Sequence, residues 1–292
     1  MQNDNNTTPK TKVVLAGIDG SSIATAVADY AAWIASRVHV PLKLLHTLES
    51  HFIYPTDLSG SIGLGTNEIL LEELTELEAK RSKLLKEQGK ELLAAAAKRA
   101  EKFSIAEPVL CQRHGSLTEN LVDLEDDIRV LVLGVSGEEH SKEEGVVGNQ
   151  VESVLRSLHR PILIVNRDFV APERIMLAYD GSEAAQKALA WVESSPLYSA
   201  MHCHIVHVAK EGENPEGLLD EPVARVEKAG LKVTQAYLQG QAQEQILAYQ
   251  QEHDVQMLVM GSFGHSRLRE LLWGSFTLKM LQKASIPLLL LR

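Results

Sequence analysis

Short apolar runs punctuate the chain at residues 13–16, 42–46, 130–133 and 162–165. Each run is continuous rather than alternating, which predicts strands buried on both faces. Helical stretches lie between them. Residues 23–37 are alanine-rich and follow Ser21, and residues 183–193 follow Ser182. A serine in that place predicts a side-chain N-cap. Buried strands alternating with helices predict an α/β fold with a parallel sheet covered on both sides.

The pattern repeats. Residues 12–21 read KVVLAGIDGS and residues 174–182 read RIMLAYDGS. Residues 129–137 (RVLVLGVSG) return as 256–264 (QMLVMGSFG), and 160–165 (RPILIV) as 286–291 (IPLLLL). Three landmarks in one order predict two tandem domains, 1–166 and 172–292, joined by a short linker. Five strands per half predict the flavodoxin-like, Rossmann-type order 3-2-1-4-5. Such sheets bind ligands beyond the carboxyl ends of strands 1 and 4, where the order reverses. Those strands end in the DG and GxxG landmarks.

The halves differ in the middle. The first carries a long insertion at about 51–103, opening with a glycine-rich loop at 58–65 and continuing into a charged helix from about Asn67. Leu70, Leu74, Leu77, Leu84 and Leu92 fall near one face of that helix. Arg81 and Gln88 interrupt the stripe, so packing on the sheet is expected, with an interaction role left open. The second half has only residues 210–230 at this place, rich in Glu, Gly and Pro.

Composition narrows the function. The 292 residues are 45% hydrophobic and 23% charged, with a formal net charge of −10. An acidic chain lacks the broad positive field that grips nucleic acid or an anionic membrane. Cys111 and Cys203 are far apart and form no CxxC pair. No apolar stretch approaches about 18 residues, so no membrane span is expected. Residues 1–11 lack a signal-peptide core, and a cytoplasmic location follows as the default.

The sharpest motif lies near the C-terminus. Gly261 and Gly264 follow a strand ending at Met260; nine residues later come Gly274 and Ser275, opening the last helix. Glycines let the backbone approach a ligand, and a helix N-terminus presents free N–H groups to phosphate. Ser275 and Thr277 carry hydroxyls, and His265, Arg267 and Arg269 lie between. This GxxG-x9-G[ST] spacing, with the DG turn at Asp180 and the repeat itself, resembles the universal stress protein family across about 12–166 and 174–292. The resemblance implies an ATP site. It implies that Asp180 and Val208 meet the adenine and ribose end, and that Met260, Gly261, Gly264, Gly274, Ser275 and Phe276 line the ribose and phosphate path. It also implies pairing of final strands, here 162–165 with 288–291, as a pseudo-dimer within one chain that covers two edges. A further homodimer is left open.

The first half departs from the signature. Gly134 and Gly137 are followed by ten residues before Gly148, and Asn149 and Gln150 stand where the second half has Ser275 and Phe276. The intervening loop carries Glu138, Glu139, Glu143 and Glu144 against Lys142. A carboxylate about 4 Å from a phosphate costs about 1 kcal/mol even in water. With Asp19 retained, this cleft is expected to be degenerate for ATP: vestigial, self-filled or adapted to another ligand.

Other constellations are weaker. His202, Cys203, His204 and His207 invite a zinc reading, but on a strand His202 and His204 point away from Cys203, and no metal is expected. His207 matches His46 in position. Residues 58–65 lack the GK[ST] ending of a P-loop. No GxSxG elbow or paired carboxylate supports dedicated catalysis. The expected function is a stress-response regulator that binds ATP or a related adenine nucleotide, with or without magnesium, in the second domain. Its protein partner is unspecified. The alternatives are a nucleotide-independent scaffold and, with least support, a slow ATPase or phosphotransferase.

Overall fold

The computed structural model describes residues 11–49, 64–137, 147–210, 212, 215–262 and 275–292, without the side chains of 64–72 and 275. In the first half the chain runs β1 (Val13–Gly17), α1 (Ala24–Val38), β2 (Leu42–Leu48), α2 (Leu64–Ala100), β3 (Val109–His114), α3 (Leu117–Asp123), β4 (Ile128–Gly134), α4 (Asn149–Ser157) and β5 (Ile162–Val165). The second half repeats the alternation: β6 (Arg174–Ala178), α5 (Glu183–Ser194), β7 (His202–Ala209), α6 (Asp220–Lys228), β8 (Lys232–Gln239), α7 (Ala242–Glu252), β9 (Met257–Gly261), α8 (Ser275–Lys283) and β10 (Leu288–Leu291).

All ten strands form one sheet in the order β3-β2-β1-β4-β5-β10-β9-β6-β7-β8. Each half has the expected 3-2-1-4-5 order with parallel pairing. The halves meet where β5 and β10 pair antiparallel, Leu163 opposite Leu289. Both edges predicted to pair within the chain are thereby covered.

Continuous apolar strands make sense in this sheet, because side chains alternate between two buried faces. Val14 and Ala16 join a core with α1, the end of α2, α5 and α6. Val13 and Leu15 join the opposite core with α3, α4, α7 and α8. Each core runs across both halves. Arg37 donates to the carbonyls of Leu197 and Ser199. Asn166 Nδ2 donates to Ala284 O at 2.7 Å and Ile286 O at 3.0 Å. Phe169 of the linker packs edge-on against Tyr30 and Phe103, with ring centroids 4.8 and 5.1 Å away.

Three local expectations change. Ser182 caps α5 as predicted, accepting from Ala185 N at 3.2 Å. Ser21 does not cap α1, because its hydroxyl donates to Asp19 and Ile23 holds the N-cap position without a side-chain bond. The insertion helix begins at Leu64, earlier than Asn67, and only its end packs on the body. Leu93, Ala96 and Ala100 are buried there, and Asp29 of α1 takes an ion pair from Arg99. Residues 73–81 are exposed throughout, so packing on the sheet does not extend to them. The glycine-rich run 58–65 lies outside the described residues up to 63. Residues 210–230 contain α6, a helix that their composition did not suggest.

Candidate functional site

The order of the second half reverses between β6 and β9, and a cleft of about 580 Å³ opens beyond their carboxyl ends. Ligand clefts typically enclose about 300–1,000 Å³, so the space suits a nucleotide-sized molecule. Its walls include Asp180, Val208, Met260, Gly261, Phe276 and Thr277. These six predicted site residues come from four different stretches of sequence. Gly264, His265, Arg267 and Gly274 lie outside the described residues. Ser275 opens α8, with its side chain likewise undescribed.

Local interactions fix the turn after β6. Asp180 accepts a hydrogen bond from Ser182 N at 3.0 Å, and Gly181 takes φ +76°, where a side chain is strained. His207 Nδ1 lies 2.9 Å from Tyr179 O. A carbonyl only accepts, so Nδ1 carries a proton in this contact. His46 Nδ1 repeats the contact with Ile18 O at 2.8 Å in the first half. The matched histidines therefore pin the strand-1 turn of each half to its neighbour. Burial raises the pKa of the Tyr179 phenol, with help from nearby Glu221, and keeps it neutral.

Gly261 proves to have a packing role. A Cβ there would lie 2.4 Å from the backbone carbon of Ala184. The first turn of α5 thus sits directly on β9, and the missing side chain makes room for that helix. Ser262 then ties to β10, its N and Oγ donating to Leu291 O at 2.6 and 2.9 Å.

The corresponding region of the first half is smaller and divided. One cavity of about 50 Å³ touches Asp19, Gly134 and Gly137; another of about 260 Å³ touches Asp19, Glu49, Arg81, Gly148 and Asn149. The chain fills part of its own path. Gly148 N donates to Val135 O at 3.1 Å, and a Cβ on Gly148 would lie 3.4 Å from Gly137 N. The N–H just before α4 is therefore already satisfied.

Two wall residues escaped the motif reading. Lys210 lines the second cleft, and Glu49 occupies the matching position in the first. Aligning His46-Thr47-Leu48-Glu49 with His207-Val208-Ala209-Lys210 reveals the charge inversion, which no phosphate motif contains. Glu49 accepts from Gln150 Nε2 at 3.0 Å, so it binds the start of α4 across the cleft.

The histidines of β7 do not converge on a ligand set. His202 Nε2 lies 2.8 Å from Thr234 Oγ1, and buried His204 uses Nδ1 toward Tyr249 Oη at 3.0 Å. Among the described residues no group of three His, Cys, Asp or Glu side chains has metal-binding geometry. Among them, too, no helix is long and apolar enough to cross a membrane.

Comparison with known proteins agrees with this architecture. The model of the Universal stress protein family matches residues 10–166 and again 172–292. Universal stress protein Slr1230 of Synechocystis sp. is 36% identical over 286 residues, spanning 96% of this chain and 100% of that protein. A crystal structure of a universal stress protein from Archaeoglobus fulgidus shares the fold, with a TM-score of 0.69 at 20% identity, covering 96% of this chain and 98% of its own. A universal stress protein crystallised with cAMP aligns with 42% of this chain and 98% of its own, with a TM-score of 0.36 at 19% identity. Two matches to one family model and a relative aligned along its full length establish that this chain belongs to the universal stress protein family, whose members serve the stress response.

Proposed function

We propose that the second half binds ATP or a related adenine nucleotide, with or without magnesium, and that occupancy regulates the protein's contacts during stress. The observation that carries this reading is the cleft of about 580 Å³ at the strand-order reversal, walled by Asp180, Val208, Met260, Gly261, Phe276 and Thr277. α8 begins beside it at Ser275, and the first N–H groups of a helix favour anions. Lys210 adds a cation to the same wall. The first half is read as degenerate: Asp19, Gly134, Gly137, Gly148 and Asn149 surround divided cavities, and Glu49 replaces the lysine. The reading is regulatory rather than catalytic and places the protein in the cytoplasm.

Mass spectrometry of ligand released from purified protein tests this reading, with ATP titration of wild type and Gly274→Asp. The expected result is about one adenine nucleotide per chain, lost in the variant. No nucleotide and no ATP binding would overturn the proposal and favour the scaffold alternative. Two nucleotides per chain would contradict the degenerate first half.

A further inference from the structure

The 37 residues of α2 span about 55 Å at 1.5 Å per residue. They divide into two unlike parts. From Gly89 onward the helix lies on the body. A Cβ on Gly89 would fall 2.3 Å from the His46 ring, and Leu93, Ala96 and Ala100 are buried. The last tie before that is the Gln112 side chain, which donates to Lys86 O at 3.1 Å. Ahead of it, residues 73–81 are exposed, with Arg81 bordering the first-half cleft. Leu74, Leu77 and Leu84 are 37, 61 and 71% exposed.

These leucines are not scattered. Leu74, Leu77 and Leu84 stand at positions of a three-four repeat, the spacing of a coiled-coil seam, and the polar Arg81 and Gln88 that complete the repeat border the first-half cleft. Glu73, Lys80 and Glu87 flank one side of this seam and Glu78 the other. The flanking charges distinguish the possible pairings of two such helices. A parallel pair sets Glu73 against Glu78 of the other copy and Arg81 against Arg81. An antiparallel pair with Leu74 opposite Leu77 sets Glu73 against Lys80 twice, and opposite charges are attractive there. The same register places Leu64 of one copy beside Glu87 of the other. The overlap then covers the helix from its first residue to the point where it joins the body. Lys80 has an intrahelical partner, Glu76 at 3.6 Å, but both are about 70% exposed and such a pair is weak.

We propose that this projecting part of α2 pairs antiparallel with the same segment of a second copy of the chain, about a two-fold axis between Leu74 and Leu77. The surface is independent of the β5–β10 join, which is used within one chain. It is also independent of nucleotide binding in the second half.

Sedimentation analysis of the full chain over the micromolar range tests the proposal. Wild type is expected as a dimer. Leu77→Glu should be monomeric, with unchanged circular dichroism and thermal unfolding showing that the body remains folded. Glu73→Lys should weaken the dimer about tenfold, and Glu73→Lys with Lys80→Glu should return it to within about threefold of wild type. A monomeric wild type would overturn the proposal, as would a dimer indifferent to Leu77→Glu. A dimer strengthened by Glu73→Lys would indicate the parallel arrangement and overturn the register.

Discussion

Glycines that look alike in a motif differ in what surrounds them. Gly261 faces the backbone of Ala184 with no room for a methyl, whereas a Cβ on Gly137 would, among the described residues, meet only Asp19 Oδ2, at an ordinary 3.6 Å. Gly261→Ala should therefore cost about 1–3 kcal/mol through forced backbone movement. Gly137→Ala should be close to neutral; urea unfolding of the two variants measures the contrast. His204 supplies a second residue-scale prediction. Its ring is buried, with His202 4.4 Å and His253 5.6 Å away between ring centroids. Burial first, then these rings with Arg174 and Lys232, pushes its pKa down to about 4. Tyr249 Oη is its hydrogen-bond partner at 3.0 Å, and Nε2 has none. The unfolded chain therefore binds the proton first, near the ordinary histidine value of about 6.5. The stability held by neutral His204 is complete above that pH and is lost as pH falls toward about 4. One such group gives a slope of at most about 1.4 kcal/mol per pH unit. His204→Leu should flatten the acid limb of a stability–pH curve; an unchanged slope would assign the limb to other groups.

At the scale of elements, the sequence makes the strands and their order legible because buried parallel strands leave continuous apolar runs. The family resemblance makes the β5–β10 join legible as well. Caps are less legible, since a serine hydroxyl chooses among local acceptors and donors. Ser182 accepts from Ala185 N, while Ser21 is drawn to Asp19 two residues away. Ser182→Ala should lower stability by about 1 kcal/mol in thermal or urea unfolding, and an effect near zero would mean that the cap does not hold α5. The insertion helix was legible as a helix but not in its placement. Leu92 and Leu74 share a stripe in sequence, yet one is packed against the core and the other faces solvent, because the sheet beneath α2 is shorter than the helix. The cleft walls were legible where a motif marked them. Lys210 and Glu49 were missed because their meaning lies in comparing the halves rather than in either one.

The whole molecule is a fused pair in which one sheet and two shared cores hold unequal halves together. Duplication supplies two strand-order reversals, and sequence drift decides what each one offers. In the second half a cleft of about 580 Å³ opens beyond β6 and β9, and its described walls include a lysine. In the first, Gly148 closes on Val135 and Glu49 holds Gln150, so the equivalent space is split. Two structurally matched aspartates isolate this asymmetry. Asp180 and Asp19 follow equivalent strands, and each accepts from the backbone N–H of the serine two residues on, at 3.0 Å. The most direct measurement is calorimetric titration of ATP into wild type, Asp180→Ala and Asp19→Ala. One site per chain is predicted, weakened about tenfold by Asp180→Ala, for a lost interaction of about 1.4 kcal/mol, and unchanged by Asp19→Ala. Loss of binding with Asp19→Ala alone, or no binding of ATP by wild type, would contradict the assignment of the nucleotide to the second half.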